Sequence, residues 1–90
     1  MDAPVTPLVE HRGIPLDVVR HVLWFFGDAV YGREPGMFTS RLMLTVSAAD
    51  QENRELLAKV FPEIVGAMNL AQYDSEGIDE LRAIAKAAAL

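Results

Sequence analysis

Apolar residues recur at helical spacing along most of this chain and divide it into successive amphipathic segments. From Pro15 to Tyr31, Leu16, Val19, Val22, Leu23, Phe26 and Val30 fall on one stripe at 3.6 residues per turn, which predicts a core-facing helix. Pro15 suits the first turn, Asp17 lies near the positive end of the dipole, and Gly32 is the expected stop. Gly27 then falls inside the helix, where glycine costs about 1 kcal/mol relative to alanine; either another helix packs closely there or the helix bends, and close packing is the expectation. Gly66 invites the same reading further along. Val18, Trp24 and Phe25 lie off the stripe, because consecutive helical positions rotate by about 100°. The first helix thus carries more apolar surface than one stripe can hide.

Arg33 to Phe38 reads as a turn, with Pro35-Gly36 its clearest signal. The stretch that follows is ambiguous. Leu42, Leu44 and Val46 alternate as in a strand, whereas Phe38, Leu42 and Val46 fall at i, i+4 and i+8 as in a helix. No other segment offers a pairing strand, and an isolated strand leaves its backbone groups unpaired, so a helix is predicted. Asp50 is a good N-cap for the next helix, with Glu52 in its first turn. Leu56, Leu57, Val60, Phe61, Ile64, Val65 and Met68 keep the period, but Pro62 interrupts it. Proline costs about 3 kcal/mol inside a helix, which predicts a sharp kink near Phe61 or two short helices with Pro62 opening the second. After a turn at Tyr73–Gly77, Ile78, Leu81, Ala85 and Ala88 form a narrow stripe on a last helix with a fraying, alanine-rich end. Residues 1–13, with Pro4 and Pro7, read as an irregular arm, and residues 14–90 as a single helical domain. The expected fold class is all-α, a compact bundle of four to five helices with an irregular N-terminal arm.

Composition narrows the functional classes. Ninety residues bury only about 60–65% of the unfolded surface, so association with a partner would matter to stability. Cysteine is absent, which removes disulfides and thiolate metal sites and fits a cytoplasmic protein. Thirteen acidic and 8 basic side chains give a net charge of −5, and the basic residues form no run. That balance disfavours nucleic acid, whose phosphates supply most non-specific affinity. The N-terminus lacks the basic segment and apolar core of a secretory signal. The densest apolar stretch, Val18–Phe26, includes Arg20 and His21 and is too short for a bilayer, which needs roughly 20 apolar residues. A soluble protein with no membrane partner is expected.

Candidate chemistry is sparse. His11 and His21 stand ten residues apart, without the i, i+4 histidine pair of a helical metal site. Ser40, Ser47 and Ser75 have no nucleophile-elbow context, and the six glycines form no phosphate-binding pattern. Glu52 with Glu55, and Asp79 with Glu80, sit in first turns, where the helix dipole accounts for them; Glu55 with Lys59 is an ordinary i, i+4 pair. The chain is therefore read as a non-enzyme with no catalytic, cofactor-binding or metal-binding residue. Phe26 is assigned to the core. Val18, Trp24 and Phe25 are the candidate partner-binding residues, since tryptophan is enriched at the centres of binding surfaces. The bland alternative is that neighbouring helices enclose the first helix on both sides.

Pro35-Gly36-Met37-Phe38-Thr39, Ala49-Asp50-Gln51-Glu52-Asn53-Arg54, Phe61-Pro62-Glu63, and Gly77-Ile78 leading to Leu81-Arg82 together give residues 35–85 a wider likeness. That stretch resembles a group of small uncharacterised proteins of actinobacterial phages and prophages. The resemblance implies a helix rather than a strand over residues 38–48, and it brings no activity, cofactor or catalytic residue. The functional expectation is a non-enzymatic protein–protein interaction module, phage- or prophage-encoded as the resemblance implies, that docks on a host protein or on another copy of itself. The alternatives are a small nucleic-acid-associated regulator, in which Arg33, Arg41 and Arg54 converge, or an acidic mimic of DNA.

Overall fold

Each helix begins and ends for a local reason, and those reasons explain where the sequence expectations hold and where they fail. In the computed structural model, residues 13–89 are described; the expected arm, Gly13 apart, lies outside them. The chain forms α1 (Leu16–Phe25), α2 (Met37–Ala48), α3 (Gln51–Val60), α4 (Pro62–Tyr73) and α5 (Gly77–Ala89), with no strand among the described residues. The all-α bundle stands, and the ambiguous stretch after the Pro-Gly turn is helical.

Pro15 caps α1 in an extended conformation, and its carbonyl accepts the Val19 N–H at 3.0 Å. The helix stops at Phe25, well short of Tyr31. Gly27 is the cause, because its φ of +91° is a left-handed conformation that suits glycine and cannot continue a helix. The Gly27 N–H donates to the Trp24 carbonyl at 3.0 Å and the Asp28 N–H to that of Leu23 at 2.9 Å, the paired bonds of a Schellman terminus. Gly27 is therefore a helix-stopping residue and not a site of close helix packing: nothing lies within 4 Å of where its Cβ would sit. The same holds for Gly66, which lies inside α4 but faces open space.

Asp50 caps α3 as expected, its Oδ1 accepting the Asn53 N–H at 2.9 Å. Pro62 resolves the interrupted period into two helices: it occupies the first position of α4, while Phe61 (φ −126°, ψ 62°) breaks away from helical geometry. The core forms where α1, α2, α4 and α5 meet. Val19, Val22, Leu23, Met43, Met68 and Leu81 are wholly sealed there. Helix α4 is central and packs against all four others. Helix α3 differs from the rest, packing substantially on α4 alone and burying no apolar residue completely. No helix among the described residues is long and apolar enough to cross a membrane.

Candidate interaction surfaces

The early end of α1 decides which of its aromatics reach water. Phe26 is the C-cap and Val30 lies in the following loop, so both leave the stripe that would have carried them into the core. Phe26 is 39% exposed, which corrects its assignment to the core. Of the three candidate partner-binding residues, Val18 and Phe25 pack partly against the protein's own core, whereas Trp24 is 37% exposed. The Phe25 and Phe26 rings meet edge to face with centroids 5.1 Å apart.

The loop that follows α1 returns along the helix backbone. That loop doubles back: the Arg33 N–H donates to the Arg20 carbonyl at 3.0 Å, and Gly32 lies against the Trp24 backbone so closely that a Cβ would collide. Asp28 fixes the return. Its Oδ1 accepts the N–H groups of Val30 and Tyr31, each at 2.9 Å, and its Oδ2 accepts from Arg82 Nε of α5 at 2.6 Å. The Tyr31 N–H first, and the Arg82 guanidinium second, hold this carboxyl below the ordinary aspartate range despite its burial. Sequence reasoning missed Asp28. Gly-Asp after an aromatic run could have signalled a helix end, but the ion pair spans 54 positions and leaves no local trace.

A denser apolar surface lies elsewhere. Met37, Phe38 and Leu44 of α2 and Leu56 and Val60 of α3 all point into solvent, Phe38 at 67% and Val60 at 68% exposure. Helices α2 and α3 both lie on α4 yet barely touch each other. Between them is a hollow of about 470 Å³ lined by Thr45, Ala48, Ala49, Asn53 and Leu57. The rings of Phe38, at the start of α2, and Phe61, after α3, stand with centroids 6.0 Å apart. On α3 the spacing of Asn53, Leu56, Leu57 and Val60 places them on one face.

Most polar groups near these surfaces are committed internally. Arg54 is only 4% exposed; its Nη1 donates to Asn69 Oδ1 at 2.9 Å, its Nη2 to the Tyr73 hydroxyl at 3.2 Å, and its guanidinium lies 5.0 Å from the Tyr73 ring centroid. It is thus turned into the α3–α4 seam and does not converge with the exposed Arg33 and Arg41. Gln72 Nε2 donates to the Ser47 carbonyl at 3.3 Å, leaving its buried Oε1 without a partner. The Ser47 hydroxyl donates to the Leu44 carbonyl at 2.8 Å, and Glu55 accepts from Gln51 at 2.8 Å. His21 is half-buried on α1, and His11 lies outside the described residues. Among the described residues no three histidine or acidic side chains gather where they could hold a metal ion.

No family model, curated protein or solved structure matches the chain.

Proposed function

We propose that the protein is a non-enzymatic interaction module that docks on another protein surface through apolar side chains its own fold leaves outside. The observation that carries this reading is the exposure of five large apolar residues on α2 and α3, the two helices that flank a mostly apolar hollow. Trp24 and Phe26, at the end of α1, offer a second and smaller patch. Phage or prophage origin fits the resemblance of residues 35–85, and the partner would then be a host protein or another copy of the chain. A nucleic-acid role draws less support: Arg54 is buried and Arg82 is paired with Asp28, which removes two of the eight basic side chains from any phosphate-binding surface.

Affinity capture and sedimentation of the wild type beside Leu56→Glu and Trp24→Ala test the reading. Both substitutions fall on exposed side chains, so each variant is expected to keep its helical circular dichroism. Binding retained by the wild type and lost in at least one variant supports an interaction module. A wild-type chain that is monomeric and captures nothing overturns it.

A further inference from the structure

We infer that the occupant of the α2–α3 face is a second copy of this chain, forming a two-fold dimer. The inference rests on the interaction reading above and adds the identity of the partner.

The first support is area. The exposed parts of Met37, Phe38, Leu44, Leu56 and Val60 amount to roughly 500–600 Å² of mainly apolar surface, close to the ~600 Å² per partner at the lower end of specific interfaces. The second is shape. Two helices that share a floor on α4 without packing on each other leave a slot with raised walls, and the exposed ridge of an α2 helix, with Met37 and Leu44 two turns apart, suits such a slot.

The third support is charge. Helix α2 carries a single charged side chain, Arg41, on its exposed ridge, and Glu52 flanks the apolar face of α3. Neither makes an ion pair among the described residues. In a two-fold arrangement each Arg41 meets the partner's Glu52, so the match occurs twice. Whole copies repel, each at −5, and attraction must therefore be local to the face.

Sedimentation equilibrium of the full chain over a wide concentration range tests the proposal. The wild type is expected to pass from monomer to dimer, with Val60→Glu weakening association roughly tenfold or more and Lys86→Gln, on the exposed side of α5, leaving it unchanged. Arg41→Glu and Glu52→Arg are each expected to weaken it several-fold, and the double reversal to recover most of the loss. That cycle does not depend on any apolar truncation, so an unfolded Val60→Glu would not rescue a wrong proposal. A wild type that stays monomeric at every concentration overturns the dimer, as does a dimer indifferent to the Arg41 and Glu52 reversals. If a monomeric chain still captures another protein through Leu56 or Val60, the interaction module survives and the second copy does not. A monomer that captures nothing removes both.

Discussion

Gly27 and Gly66 look alike in the sequence, each a glycine within an apolar helical period, yet they carry opposite consequences. Gly27 sits at positive φ, so alanine there is expected to destabilise the fold by about 1–2 kcal/mol. Gly66 is helical with open space where a Cβ would go, so Gly66→Ala should stabilise by about 0.5–1 kcal/mol. Urea melts of the two variants should move in opposite directions; the same sign for both would contradict the assignments. Asp28 adds a pH dependence. Its carboxyl is lowered in the folded state, so its contribution is present above the unfolded aspartate pKa of about 3.9 and is lost as pH falls through the lower folded value. Asp28→Asn keeps one acceptor for the loop N–H groups but presents an amide donor or a neutral oxygen to Arg82. The variant is expected to lose about 1–3 kcal/mol at pH 7 and to show a shallower fall in stability below pH ~4 than the wild type, read by urea unfolding at several pH values.

At the scale of elements, α3 is the outlier. Its inward anchor is Arg54, held by Asn69 and Tyr73, and among the other helices it packs substantially only on α4. Regions with few buried apolar contacts open at lower free energy than the core. Arg54→Ala is therefore expected to speed amide hydrogen exchange across Gln51–Val60 while the middle of α1 keeps its protection; uniform acceleration through the molecule would contradict this. Most of the element pattern was legible beforehand. Asp50 announced the start of α3, and Pro62 announced the division between α3 and α4, because caps and prolines act through their own backbone. What a linear pattern could not show is direction. Leu56, Val60 and Ile64 belong to one run in the sequence, but the non-helical turn at Phe61 re-aims what precedes it, so Leu56 and Val60 face water. Arg54 was equally hidden, since nothing local says that a cation will turn inward. The sequence pattern puts the surplus apolar surface on α1, where Val18 and Phe25 pack partly against the core; more large exposed apolar side chains stand on α2 and α3.

At the scale of the whole molecule, the core is small and concentrated. A domain of this size has a stability of about 5–15 kcal/mol at most, and deleting one sealed leucine typically costs about 2–5 kcal/mol. Leu23→Ala, at the α1 end of the core, is thus expected to remove a large share of the total, whereas neighbouring Trp24→Ala should cost distinctly less because its side chain already meets water. Thermal melts of both variants check the ordering. The same placement gives the protein an optical probe of its own. Trp24 is the sole tryptophan, and its backbone supports the returning loop at Gly32. Release of that loop would alter the backbone that carries the indole, and a change in the colour of the intrinsic fluorescence is expected to read the docking of one short connection without any added label.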